Sequence, residues 1–253
     1  MFRKNDREKL LDSYLKQLYL ANIRKHYQDI AQKSRQESLS YEEYLLGLAE
    51  LECTERRNRR VERYLRESRI PAEKNIDTFD LTRLPGTLMQ KVKILLDGTF
   101  LEHKENVLAF GNPGSGKTHL LCAIGQELIQ KGKRVYFALS SLLVQDLLRA
   151  KQDFTLGKFF KKLSMFDSII IDDIGYVQQN REEMEVLFTL LAERYEKGSV
   201  MITSNLPFSK WETIFKNPMV TAAAIDRLVH HSVILELNIP SYRIEEAKKK
   251  KSV

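Results

Sequence analysis

Cysteine is almost missing from this chain. Of 253 residues only Cys53 and Cys122 carry a thiol, far apart and in no ligand-like spacing. A disulfide framework and a cysteine zinc site are therefore excluded as sources of stability. Long apolar runs are missing too, and none approaches the roughly 20 residues a membrane-spanning helix needs. Met1-Phe2-Arg3-Lys4-Asn5-Asp6 leads into charged sequence rather than an apolar segment, so no signal peptide is expected. Between residues 6 and 69 glycine and proline are nearly lacking, and Gly47 stands alone. The hydrophobic share of 43% is enough to build a packed core, which excludes wholesale disorder. Net charge is +7, with the positive surplus in the first two thirds. A polyanion partner and simple solubility both account for such a charge. The expectation is a soluble, cytoplasmic protein with no membrane partner.

Apolar residues recur at helical spacing near the start: Leu10, Leu11, Tyr14, Leu15 and Leu18, then Tyr41, Tyr44, Leu45, Leu48 and Leu51. Ser40 followed by Glu42 and Glu43 has the form of a helix N-terminus, where a hydroxyl and acids satisfy exposed amides. Residues 1–70 are read as an all-helical domain of about three helices. Ile70-Pro71 ends it, because proline disfavours helical geometry in the residue before it. Residues 71–100 form a connector with one helix, over about 87–97. From residue 101 to 247 short apolar runs alternate with helical stretches. The runs begin at Asn106, Arg134, Ser168, Ser199 and Ser232. Several are apolar throughout, as strands covered on both faces are. Such βαβ alternation predicts a parallel five-stranded sheet with helices on both faces. Residues 248–253 are a basic tail.

One motif carries specific chemistry. Gly111-Asn112-Pro113-Gly114-Ser115-Gly116-Lys117-Thr118 fits G-x-x-x-x-G-K-[ST]. Chance produces that pattern in roughly one chain per hundred of this length, and here it also follows a strand and opens a helix. The glycines let several backbone N–H groups converge on one hollow, and the helix adds its positive end. Lys117 supplies a point charge to β- and γ-phosphates, and the Thr118 hydroxyl can ligate Mg²⁺. His119 completes the candidate cradle. The second half is Ile169-Ile170-Ile171-Asp172-Asp173, a buried strand ending in two acids at the sheet edge where ligands bind. Asp172 would hold Mg²⁺, and Asp173 would polarise the attacking water.

Other residues admit two readings each. Asn205, after the next strand, could orient water against the γ-phosphate or simply form a turn. Arg227 could pair with Asp226 at the surface or act as an arginine finger on a neighbouring subunit's nucleotide. Arg56, Arg59, Arg60 and Arg63 share a broad helix face with Arg66. That stripe could grip phosphates, or pair within its helix with Glu52, Glu55, Glu62 and Glu67. Arg149, Lys151, Lys158, Lys161 and Lys162 make a second basic candidate, with Phe154, Phe159, Phe160 and Phe166 among them read as core. His230-His231 and Trp211 read as packing residues.

These residues resemble the AAA+ (ASCE) class of P-loop ATPases, in the clade containing DnaA, DnaC and IstB. The match is to the IstB family, helper ATPases of insertion-sequence transposition. It is carried by GNPGSGKTHL at 111–120, DDIGY at 172–176, LAERYEKG at 191–198, TSNLPFSKW at 203–211, AAAIDRLVHH at 222–231 and Ser241-Tyr242-Arg243. The resemblance implies a P-loop NTPase fold, ATP and Mg²⁺ as cofactors, and a bacterial, DNA-associated location. It implies a homo-oligomer on duplex DNA with ATP at subunit interfaces, and an IstA-like transposase as partner. Arg227 then matches a finger acting in trans, Asn205 a polar sensor, and Arg243 a nucleotide-sensing position. It also makes the segment from Arg149 to Lys162 the preferred DNA-facing element. IstB proteins commonly carry Asp-Glu where this chain has Asp172-Asp173, which leaves slow or DNA-stimulated hydrolysis open; DnaA has the same Asp-Asp, so inactivity does not follow. Two alternatives stay open: a DnaC-like helicase loader, and a nucleotide-gated binding module with negligible hydrolysis.

Overall fold

The computed structural model describes residues 4–175, 181–211, 218–242, 244 and 245. Arg243 and the basic tail lie outside the described residues. The chain divides into two compact units, Met1–Arg63 and Tyr64–Val253. No helix among the described residues is long and apolar enough to cross a membrane.

The first unit holds α1 (Lys4–Gln17), α2 (Ala21–Gln36) and most of α3 (Tyr41–Ser68), the last in one piece. Ser40 and Glu43 start α3 by a reciprocal pair of bonds. The Ser40 N–H donates to the Glu43 carboxylate at 2.7 Å and the Glu43 N–H to Ser40 Oγ at 3.2 Å. Leu20 offers α2 no side-chain cap. Glu52 of α3 does so instead, accepting the N–H groups of Asn22 at 2.9 Å and Ile23 at 3.1 Å, with Arg56 Nε on its other oxygen at 2.8 Å. Burial opposes ionisation of Glu52. The two amides and the guanidinium outweigh it and hold its carboxyl below the usual range.

In the second unit, β1 (Asn106–Gly111), β2 (Val135–Leu139), β3 (Ser168–Ile174), β4 (Ser199–Ser204) and β5 (Ser232–Leu237) form one sheet in the order β2-β3-β4-β1-β5. Every pairing is parallel. Their β-branched, apolar sequences suit burial on both faces. α4 (Gly86–Asp97) and α5 (Lys117–Gln130) pack together on the sheet, α5 against β1 to β4. A separate group covers the rest: α6 (Ser140–Gln152), α7 (Leu156–Leu163), α8 (Arg181–Arg194) and α9 (Pro218–Val229), with α8 contacting both α6 and α9. The expected fold class holds: a five-stranded parallel sheet with helices on both faces, preceded in the chain by a helical amino-terminal region.

Two features fix the ends of the strands. Arg194, buried at the end of α8, donates to the carbonyls of Leu163, Phe166, Asp167 and Ser199 at 2.9 to 3.2 Å. It thereby ties the approaches to β3 and β4 together. Burial pulls its pKa down to about 10. Between β3 and β4 the register shifts between Ile171 and Ile174, and inside that shift Asp173 has φ +62°.

The aromatic reading of the α6–α7 region needs one correction. Phe166 is buried, and Phe159 and Phe160 pack partly buried against the main core. Phe154 is 98% exposed. It stands just past α6 with φ +55°, where the Thr155 N–H reaches back to the Ala150 carbonyl at 2.7 Å. The helix-ending turn, not apolarity, decides its position.

Candidate nucleotide-binding site

A cavity of about 510 Å³ opens at the carboxyl ends of the strands. Its floor is the loop between β1 and α5, from Pro113 to Lys117, continuing into Thr118 and His119. Gly114 and Gly116 have φ +80° and +93°, left-handed values that side chains rarely adopt. A Cβ at Gly116 would also stand 3.1 Å from the Phe79 ring. Chain geometry and close neighbours therefore both require glycine here. Lys117 Nζ donates to the carbonyls of Gly111 at 2.8 Å and Asn112 at 3.0 Å, folding the ammonium back over the hollow. Ser115 Oγ is buried with no hydrogen-bond partner among the described residues. A turn built of glycines, a cation over it and a helix N-terminus behind it fit a polyphosphate.

The acids meet the loop as the sequence predicted. Asp172 is 4% exposed, and its Oδ1 accepts the Thr118 hydroxyl at 2.8 Å. Asp173 and Asn205 both line the cavity, at the ends of adjacent strands. Asn205 Oδ1 is sealed from solvent without a partner among the described residues. Cys122, one turn into α5 beyond Thr118, is buried, and burial pushes its thiol up to about 12. It is a core residue.

Three contributors have contacts that sequence reasoning did not give, although the resemblance already points to Ser241-Tyr242-Arg243 in the third. The first is Thr203 of β4, whose hydroxyl donates to Asp172 Oδ1 at 2.6 Å and accepts the Asp173 N–H at 2.8 Å. The second is the connector. Glu73, Lys74, Thr78, Phe79, Asp80 and Arg83 form a whole wall of the cavity. His119 pins that wall, with Nε2 3.1 Å from both Thr78 Oγ1 and the Asn75 carbonyl and its ring edge-on to Phe79. The third is the segment after β5. The Tyr242 N–H donates to the Gly114 carbonyl at 3.0 Å, and Arg83 bridges from the connector to the Pro240 carbonyl and Glu245. None of these has a spacing signature. Each depends on which distant segments the sheet brings together.

Arg227 lies elsewhere. It lines a second, smaller cavity with Asn106, Gly198 and His231, residues at the amino ends of β1, β4 and β5. Its guanidinium sits 4.9 Å over the Phe188 ring and donates to the Ala223 carbonyl at 3.5 Å. Among the described residues it makes no ion pair with Asp226. The basic candidates divide as well. Arg56 donates to Glu52 and to the Tyr19 carbonyl, and Arg59 to Asn22 Oδ1. Both thus serve the packing of the helical unit, while remaining exposed alongside Arg60 and Arg63. Lys151 pairs with Glu185 at 3.2 Å. Arg149, Lys158, Lys161 and Lys162 are exposed on α6 and α7.

Comparison with known proteins agrees with this geometry. The family described as IstB-like ATP binding protein matches residues 13–251. An insertion-sequence ATP-binding protein of Sinorhizobium fredii is 39% identical over 241 residues, covering 95% of this chain and 81% of its own. The ATP-binding protein of insertion sequence IS5376 from Geobacillus stearothermophilus is 36% identical over 239 residues, covering 93% and 94%. Among solved structures the chain is similar to the DnaC helicase loader, with TM-score 0.57 and 18% identity over 67% of this chain and 98% of that one. It is also similar to AMPPCP-bound DnaA from Aquifex aeolicus, with TM-score 0.56 and 18% identity over 73% and 56%. At such identity the structural likenesses speak for the fold alone. The family match runs through every strand of the sheet and both halves of the phosphate site, and on that ground the chain belongs to the IstB-like ATP-binding proteins, P-loop ATPases of the AAA+ fold.

Proposed function

We propose that this protein is an ATP-dependent assembly factor for DNA transposition, which polymerises on duplex DNA and recruits a partner transposase. The observation that carries the reading is the separation of two groups. The nucleotide cavity opens at the carboxyl ends of the strands, whereas Arg227 stands among residues at their amino ends. An arginine finger at 227 therefore serves the cavity of another copy, not its own. Such a contact is heterologous and propagates into a ring or an open helix.

Within one site the geometry supports the following roles. Loop amides and Lys117 hold the triphosphate. Thr118 and Asp172 hold Mg²⁺, which supplies charge neutralisation at the β- and γ-oxygens. Among the described residues no three His, Cys, Asp or Glu side chains gather as a metal cage. Thr118 and Asp172 would be this chain's ligands for the ion, with water and phosphate oxygens supplying the others. Asp173 and Asn205 face the same cavity, one to polarise water and one to orient it. His119 holds the connector wall against the cradle. Arg227 of the next copy neutralises charge developing in the transition state.

For DNA, the exposed cations of Arg149, Lys158, Lys161 and Lys162, with Arg60 and Arg63 of the helical unit, support a sequence-independent grip on phosphates. Lys151, Arg56 and Arg59 also bond within the protein, to Glu185, Glu52 and Asn22. ATP binding would favour the DNA-gripping oligomer, and hydrolysis would dissolve it. Analytical sedimentation with ATP, Mg²⁺ and duplex DNA tests the proposal. Growth in particle size that needs both nucleotide and duplex is expected. A monomer under those conditions overturns it, and a marked preference for single strands points to a helicase loader instead.

A further inference from the structure

Thr203 is a fully buried hydroxyl at the point where three strands end. β4 carries it, between β1, which leads into the phosphate loop, and β3, which carries the acids. Its Oγ1 makes two short bonds. As donor it reaches Asp172 Oδ1 at 2.6 Å, and as acceptor it takes the Asp173 N–H at 2.8 Å. The same Asp172 oxygen also accepts Thr118 Oγ1. Two hydroxyls thus converge on Oδ1, which fixes the plane of the carboxylate.

The second bond matters as much. Asp173 has φ +62° inside the register shift between β3 and β4. An aspartate rarely takes this conformation within a strand, and it persists only where surroundings hold it. Taking up the Asp173 N–H, the Thr203 hydroxyl pairs a part-buried amide that lies inside the register shift. One oxygen atom therefore sets the metal-side carboxylate through its side chain and the water-side carboxylate through its backbone.

We infer that Thr203 is a positioning residue for hydrolysis, which orients Asp172 and Asp173 together and so couples divalent-cation binding to the aim of the water-polarising acid. The inference rests on the ATP–Mg²⁺ reading of this site. Supporting side chains behind a metal ligand are worth about ten- to a hundredfold in metal affinity or activity.

The test uses the full-length chain and three variants: Thr203→Val, which keeps the shape, Thr203→Ala, and Thr203→Ser, which keeps the hydroxyl. Binding of a fluorescent ATP analogue is titrated with Mg²⁺ and with EDTA, phosphate release is measured beside it, and thermal unfolding is followed without ligand. Wild type must bind the analogue more tightly with Mg²⁺; if it does not, the ATP–Mg²⁺ reading itself fails. Given that it does, valine and alanine are expected to bind normally in EDTA. They should need about tenfold more Mg²⁺ for half-maximal enhancement and lose at least about tenfold in turnover, with serine within about threefold of wild type. Two results overturn the inference. One is valine or alanine with a wild-type Mg²⁺ requirement and turnover. The other is valine and alanine both failing to fold while serine folds, which assigns the hydroxyl to the fold alone.

Discussion

The Thr118 hydroxyl donates to Asp172 Oδ1 at 2.8 Å across 54 residues of sequence, joining the start of α5 to the end of β3. That one bond brings the phosphate loop and the acidic strand into a single site. It also makes the two halves separable by mutation. On the proposed reading Lys117 contributes charge to the phosphates, whereas Asp172 contributes through the cation. Lys117→Ala should weaken ATP binding by about tenfold or more, both with and without Mg²⁺, since it removes a charged hydrogen-bond donor. Asp172→Asn should weaken it only when Mg²⁺ is present. Titration of a fluorescent ATP analogue in Mg²⁺ and in EDTA reads both. Equal loss in EDTA for the two variants would contradict the division of roles.

Much of this site was legible in the sequence because its groups lie at strand ends. A run such as Ile169-Ile170-Ile171-Asp172 announces both the strand and its terminus, and a glycine-rich turn after Phe110 announces the next. The five strands begin within a residue of their expected starts for the same reason. The remainder depends on contacts between distant segments. Nothing in Thr203-Ser204-Asn205 says that the threonine, not only the asparagine, meets the acids. The connector from Glu73 to Arg83 has the composition of a linker, and only the fold reveals it as a cavity wall. Phe154 misled because apolar character predicts burial on average, while the turn that ends α6 places this residue in solvent.

That turn gives a prediction about stability. Phe154 holds φ +55° and covers no core, so it strains the backbone without burying area in return. Phe154→Gly relieves the strain at a position glycine adopts freely. The gain should be about 1 kcal/mol, offset in part by glycine's greater unfolded-state entropy. Urea unfolding should show a midpoint unchanged or higher, never lower by more than experimental error. A clear loss of stability would mean the ring has a packing partner.

Arg194 should behave in the opposite way. Its guanidinium satisfies four carbonyls around the starts of β3 and β4, and a Cβ on Gly198 would run into it. Arg194→Met keeps much of the volume but removes the donor to all four carbonyls, of which Leu163 and Asp167 keep a backbone N–H. The expected cost is about 3 kcal/mol or more, read as a lower urea midpoint. Nucleotide affinity of the folded fraction should change little, since Arg194 lies outside the nucleotide cavity.

The helical unit carries a pH dependence of its own. Glu52 caps α2 in its ionised form, and its folded-state pKa lies below the unfolded value. Its contribution is therefore present above the unfolded pKa, near 4.5, and is lost as pH falls through the folded value. Glu52→Gln should lower stability at neutral pH by about 1 to 2 kcal/mol, the range for a lost charged cap. The difference from wild type should shrink on acidification, as protonation neutralises the wild-type side chain as well. A gap that stays constant from pH 7 to pH 3 would remove the carboxylate from the account.

The trans arrangement makes the sharpest demand. Arg227→Ala keeps an intact phosphate loop, and Lys117→Ala keeps the proposed finger. Each protein alone should lose most of its turnover, by about 10³-fold or more for the finger, on the scale of arginine fingers elsewhere. Arg227→Ala should still bind ATP, because the guanidinium stands apart from its own cavity. Mixed in equal amounts on duplex DNA, the two variants should regain activity. With random mixing about a quarter of the interfaces pair a working cradle with a working finger from the next copy. A finger acting within its own chain predicts no recovery at all, because no single molecule in the mixture carries both groups. The mixture thus separates the two geometries even if the oligomer's size and symmetry stay unknown. Recovery would also show that the head-to-tail contact forms between the amino ends of one sheet and the carboxyl ends of the next.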